Sequence, residues 1–245
     1  MKTRKILLII FTLFSFNSFA ITKGEIVNNR LKDISNICKN ILNTYECSQK
    51  IEKVELPKYP NIAQKNKDEI ILKLENEEKI YQNTDQLKYS FLTYIPEVNF
   101  IMIHIQGDEW QSVDIINYKT GASITTSKTA FFDAKLPEFS PNVEKMLIFN
   151  SNEMDTDACG LQIWDLKNNN FRKEYEDLTF RYYGDAKWQN NNKIKINYDF
   201  INQTKSKDPW ERYIMFLEYK NNVWEVQKTL ISEKINGVWK DINNK

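Results

Sequence analysis

Two hydrophobic periods divide the chain. Between 24 and 50, Val27, Leu31, Ile34, Cys38, Ile41 and Tyr45 recur at alternating spacings of four and three. That spacing predicts one helix with a single apolar stripe and Lys, Asp, Asn and Glu on its other faces. No other segment supplies a matching stripe for a coiled coil, so the helix is expected to dock on the rest of the chain. Pro57 and Pro60 end the region. From Asp68 onward the period is two. Ile70, Leu72 and Leu74 alternate with Ile71, Lys73 and Glu75, and Asn76-Glu77-Glu78 turns the chain toward Lys79-Ile80-Tyr81. Glycine is scarce, six in all, so the turns rely on Asn and Asp, which tolerate left-handed backbone.

Three stretches superimpose on one another. The first is FLTYIPEVNFIMIHI, a loop, then SVDIINYKTGASITT. The second is PEFSPNVEKMLIFN, a loop, then GLQIWDLKNNNFRKEY. The third is AKWQNNNKIKINYDF, a loop, then ERYIMFLEYKNNVWEVQKT. Tyr94, Phe139 and Trp188 fall at matching early places, 45 and 49 residues apart. Gly121, Asn170 and Asn222 fall at a matching late turn, 49 and 52 apart. Units of this length, built of strands and turns, are the size of a propeller blade. Phe139-Ser140-Pro141-Asn142, followed by Met146-Leu147-Ile148-Phe149 and Leu161-Gln162-Ile163-Trp164-Asp165-Leu166, resembles a blade of the WD-repeat-like β-propellers exported by bacteria. The segment from Tyr45 to Leu74 looks like the start of such proteins. The resemblance covers one unit well and two loosely, and it implies a fold and an interaction surface, not a reaction.

The expected fold is mainly β: a β-propeller-like stack of antiparallel sheets, either a four- or five-bladed ring or an open arc, with one N-terminal helix. Residues 1–20 read as a signal peptide, 21–60 as the helical segment and 61–245 as the β-repeat domain. Trp164, Phe149, Leu147, Ile163, Phe139, Ile101, Ile103, Ile214 and Phe216 are the expected core.

The first twenty residues carry Lys2, Arg4 and Lys5, an apolar run from Ile6 to Phe16, and Ser18-Phe19-Ala20 at a cleavage position. The run is too short to span about 30 Å of hydrocarbon. The mature chain is therefore expected to begin at Ile21, to have no membrane span and to be periplasmic or secreted. Without the three basic residues of that leader, 31 basic face 33 acidic side chains, and the whole chain carries only +1. That balance excludes a nucleic-acid binder that works by global basicity.

Composition narrows the chemistry further. One histidine and three cysteines leave little for a transition-metal site, and no cofactor is expected. His104 lies in Phe100-Ile101-Met102-Ile103-His104-Ile105 and reads as a half-exposed strand residue facing the same way as Phe100 and Met102. Cys38 and Cys47 would lie about 13 Å apart in an unbroken helix, too far to bridge. A break at Asn43-Thr44 would bring them within range, leaving Cys159 free; otherwise Cys38 is a small core residue. Glu153, Asp155 and Asp157 alternate as calcium ligands can, without the spacing of the twelve-residue calcium loop, and a solvated hairpin loop accounts for them as well. No phosphate loop, nucleophile elbow or assignable carboxylate pair is present.

In each unit the long loop joins the same two strands: Gln106 to Gln111, Ser151 to Cys159 and Asn202 to Pro209. Equivalent blades would bring these loops to one end. They would gather Asp108, Glu109, Trp110, Glu153, Asp155, Asp157, Asp208 and Trp210 into a binding face for a protein, peptide or polysaccharide. Polar loops facing water explain the same residues without a ligand. The reading that follows is an exported, non-enzymatic binding module for a protein, peptide or envelope polymer. The rivals are a secreted carboxylate-based hydrolase with a dispersed site and a structural domain with no ligand.

Overall fold

The N-terminal stripe folds into two helices rather than one. In the computed structural model, which describes residues 21–41, 43–108, 110–126, 137–150, 160–177, 183–201 and 210–242, α1 spans Lys23–Asn36 and α2 spans Thr44–Glu55. A capping box starts α1: Thr22 Oγ1 accepts the Glu25 N–H at 3.2 Å, and the Glu25 carboxylate accepts the Thr22 N–H at 2.8 Å. Those bonds hold Glu25 below the usual carboxylate range. The helix ends at Asn36, and after a hydrogen-bonded turn Asn40 takes φ 80° and redirects the chain. Asn43 then caps α2 by accepting the Glu46 N–H at 2.9 Å. The reversal brings Cys38 and Cys47 together in a disulfide with Cα atoms 5.3 Å apart. Val27, Leu31, Ile34 and Cys38 are buried, as the stripe requires, and Cys47 and Ile51 extend the apolar surface along α2.

Four antiparallel meanders follow in chain order. The first sheet is β1 (Ala63–Lys65), β2 (Glu69–Lys73) and β3 (Glu78–Gln82). The second is β4 (Lys88–Ile95), β5 (Phe100–Gln106), β6 (Gln111–Asn117) and β7 (Ser123–Thr125). The third is β8 (Glu138–Phe139), β9 (Lys145–Asn150), β10 (Gly160–Asp165) and β11 (Arg172–Asp177). The fourth is β12 (Tyr183–Asn190), β13 (Lys193–Ile201), β14 (Trp210–Lys220), β15 (Val223–Ile235) and β16 (Val238–Asp241). Within each sheet, sequential strands are neighbours, which is the up-and-down plan of a propeller blade. The repeat register carries over. Tyr94, Phe139 and Trp188 sit in the first strands β4, β8 and β12, while Gly121, Asn170 and Asn222 sit between the third and fourth strands.

Asparagine supplies the turn geometry. Asn221 (φ 50°) with Asn222 (φ 65°), and Asn236 (φ 51°) with Gly237 (φ 80°), close two-residue hairpins, where left-handed backbone matches the strand twist. Val143, at φ 55° in the turn between β8 and β9, is the one non-asparagine side chain among the eight non-glycine positive-φ residues described.

Burial is shared between successive sheets. Leu72, Tyr81, Phe91, Ile101, Ile103 and Ile116 join the first sheet to the second. Leu92, Phe100, Met102 and Ile115 meet Phe139, Met146 and Ile148 of the third sheet, and α1 and α2 pack into the same cluster. Leu147, Leu161 and Ile163 meet Trp188, Ile194, Ile196, Met215 and Leu217 of the fourth. Among the described residues no core cluster joins the fourth sheet to the first. Each helix also covers an edge strand. Asn28 of α1 pairs with the Phe139 backbone of β8 as a strand would, donating to its carbonyl at 2.9 Å and accepting its N–H at 2.8 Å. Glu52 of α2 accepts the Phe91 N–H of β4 at 2.9 Å.

The expected core needs three corrections. Leu147, Ile163, Phe139, Ile101 and Ile103 are buried, but Trp164, Ile214 and Phe216 are only partly so. On β14 the inward face is Met215 and Leu217, so strand alternation turns Ile214 and Phe216 outward. The side chain of Phe149 lies outside the described residues.

His104 is the other correction. It is fully buried, not half-exposed, because both faces of the second sheet are covered, one by the first sheet and the other by the helices and the third sheet. Its Nε2 lies 3.0 Å from Gln111 Oε1. Burial pulls the imidazole down to about 4, with the Gln111 bond acting the other way. The native state thus holds a neutral ring, while the unfolded chain protonates below its ordinary 6.5. Stability from this residue is complete above pH 6.5 and is lost as pH falls toward 4, amounting to roughly 3 kcal/mol. Urea unfolding at pH 7 and pH 4.5 checks this. His104→Gln is expected to lose less stability on acidification than wild type, and equal slopes for the two proteins would reject it.

Candidate functional site

The loop between β5 and β6 is held by three hydrogen bonds to its backbone carbonyls. The Gly107 N–H donates to the Trp110 carbonyl at 2.7 Å, and Gln106 Nε2 donates to the Gly107 carbonyl at 2.8 Å and, more weakly, to that of Trp110 at 3.4 Å. The Trp110 ring folds over Gly107 so closely that a Cβ there would lie 2.5 Å from its Nε1. Trp110 is therefore half-buried on its own hairpin, and Asp108 is left exposed.

Beside this loop is a solvent-open groove of about 420 Å³ lined by Asn43, Tyr45, Asp85, Gln86, Lys88, Gln106, Gly107 and Asp108. Strand direction explains the assembly. Lys88 opens β4 directly opposite Gln106 at the end of β5, so the turn before β4 and the loop after β5 share one end of the sheet. That turn carries Asp85 and Gln86 and is held by the Thr84 N–H donating to the Leu87 carbonyl at 2.8 Å. The connection between α1 and α2 forms the remaining wall. Asn43 has its oxygen engaged as the helix cap, which leaves its amide nitrogen as the group to offer a ligand. Among the described residues, two carboxylates and one ammonium give the lining a formal charge of −1.

Of the binding-face residues expected from sequence, Asp108 is in the groove and Trp110 backs its loop. Trp210 opens β14, near the place equivalent to Trp110 just before β6, but the third sheet separates their two sheets. Glu109, Glu153, Asp155, Asp157 and Asp208 lie outside the described residues, as do Cys159 and residues 1–20. Sequence reading missed Asn43, Tyr45, Asp85, Gln86 and Lys88. The available signal was topological: in a meander, the turn into the first strand and the loop between the second and third emerge at the same end.

Among the described residues no group of three His, Cys, Asp or Glu side chains could hold a metal ion, and no helix is long and apolar enough to cross a membrane. Tyr81 and Arg212 are displaced titratable groups whose partners are structural. Tyr81 is pushed well above the usual phenol range by burial and by Asp114, to which its hydroxyl donates at 2.8 Å. Arg212 is raised by its bond to Asp199, which it holds at 2.7 and 2.9 Å while lying 4.2 Å from the Trp239 ring centre.

No protein-family model matches the chain, and no curated protein matches it significantly. Among solved structures it is similar to the β-propeller domain of the Trilobed protease from Pyrococcus furiosus, a domain described as having an open velcro topology. The identity is 14% and the TM-score 0.35, over 69% of this chain and 52% of that one, so the chain spans about half the length of that relative. The protein's own four sheets make its architecture propeller-like: mainly antiparallel β, in successive meanders, with two short helices covering the first strands of the second and third.

Proposed function

We propose that the protein is an exported binding module that uses the loop end of its sheets to hold a protein, peptide or envelope polymer. The observation that carries this reading is the groove beside the β5–β6 loop, where polar side chains from three chain segments converge on one site. Export rests on the basic, apolar and small-residue order of the first twenty residues, and kinship to exported WD-repeat-like propellers rests on the repeat. A carboxylate-based hydrolase would use Asp85 and Asp108 in the same groove.

Immobilised mature protein, incubated with periplasmic extract and with purified cell-envelope polymer, tests the reading. Retention of a component by wild type, lost in Asp108→Asn/Trp110→Ala, is the expected outcome. Release of soluble fragments from the polymer would favour the hydrolase. Edman sequencing of the protein from its host should begin at Ile21, and an N-terminal Met1 would remove export.

A further inference from the structure

Building on the binding-module reading, we infer that the groove beside the β5–β6 loop is a saccharide site, selective for neutral or cationic sugars. Its lining is the argument. Asp85 and Asp108 are exposed carboxylates that can each accept from vicinal hydroxyls, and Gln86 is an exposed amide that both donates and accepts. Tyr45, half-buried in the first turn of α2, offers a ring for the apolar face of a pyranose. Among the described residues the lining holds no aliphatic or phenyl side chain, and so offers no apolar socket of the kind that buries a peptide anchor residue. Its volume of about 420 Å³ lies within the range of small-ligand sites. One ammonium against two carboxylates disfavours an anionic sugar. The walls are fixed: the Cys38–Cys47 bridge closes the segment that carries Asn43 and Tyr45, and the Lys88–Gln106 register fixes the floor.

NMR titration of the oxidised mature chain tests this with four probes: chitotetraose, its fully deacetylated cationic counterpart, tetragalacturonate and a lysine-rich decapeptide. The two amino-sugar oligomers are expected to shift the Gly107 amide and the Gln86 side-chain amide saturably, the cationic one at lower concentration, and tetragalacturonate is expected to bind at least about tenfold more weakly. Asp108→Asn and Tyr45→Ala should each weaken chitotetraose by about tenfold or more while leaving the remaining spectrum in place. Saturable binding of the decapeptide in the groove without the sugars would overturn the saccharide assignment and leave the binding module standing. So would tighter binding of tetragalacturonate, or envelope retention with the groove signals unmoved. Silence with every probe, together with no retention from the envelope, would remove both.

Discussion

Glu174→Gln is expected to lower the unfolding free energy by about 3–5 kcal/mol, as breaking one partner of a buried ion pair does. Lys145 opens β9 with its side chain 8% exposed, and it pairs with Glu174 of β11, which is 5% exposed. The ammonium also lies 4.3 Å from the ring centre of Tyr219 and 5.6 Å from that of Trp224, both on the fourth sheet. Glu174 in turn accepts the Trp224 indole N–H at 3.2 Å and an Arg172 N–H at 3.0 Å. One carboxylate thus ties the third sheet to the fourth, and the glutamine variant leaves the ammonium buried without its countercharge. Lys145→Met should cost a comparable amount. The double variant Lys145→Met/Glu174→Gln should cost less than the two added together, because neither charge is then stranded. A urea-unfolding cycle measures the coupling. Strict additivity would mean that the two side chains contribute independently.

Gly24→Ala is expected to cost about 3–5 kcal/mol, from overpacking and from the bonds that α1 would lose on backing away. A Cβ at Gly24 would sit 2.2 Å from the Ser140 carbonyl oxygen and 2.9 Å from Pro141 Cα, and both are backbone atoms with little room to yield. The Gly24 N–H donates to the Pro141 carbonyl at 3.0 Å, and one turn later Asn28 makes its paired bonds to Phe139. In a helix free of tertiary contact the same substitution would stabilise by about 1 kcal/mol. The sign of the change in thermal midpoint therefore decides whether α1 is docked on the β8–β9 turn, and a rise would reject it.

Much of this fold was legible in the sequence because it is local and repeated. Alternation places the strands, and the matched positions Tyr94, Phe139 and Trp188 align the units. The length of each unit gives the number of strands it can hold. The helix was harder. Its stripe runs through Cys38, Ile41 and Tyr45 without a phase change, and neither glycine nor proline marks the break; only Asn40, in left-handed backbone, and the capping Asn43 do so. Face assignment failed where both sides of a strand are apolar: Ile214 and Phe216 are as hydrophobic as Met215 and Leu217, and the neighbouring sheet decides between them. His104 was misjudged for the same reason, since a polar residue on a strand signals an exposed face only if that face has no neighbour. The groove was least legible. It joins residues 43 to 108 through the packing of α2 on β4, and no local pattern encodes that distance.

The outward face of the fourth sheet has a consequence for what can stack against it. Repeats that bury apolar surface only against their neighbours leave the last one with a side that would recruit another unit, unless that side is made soluble. Opposite Ile194, Ile196 and Tyr198, β13 carries Lys193, Lys195, Asn197 and Asp199. Asp199 is locked to Arg212, Lys193 pairs with Glu218 at 3.7 Å, and the same ammonium lies 5.1 Å from the Phe216 ring centre. Ile214 and Phe216, with Val223 and the Trp239 ring against Arg212 on the same face, are thus set among charged side chains. Neutralising Lys193, Lys195 and Arg212 together would turn that face adhesive, and copies of the chain would then be expected to associate through their fourth sheets.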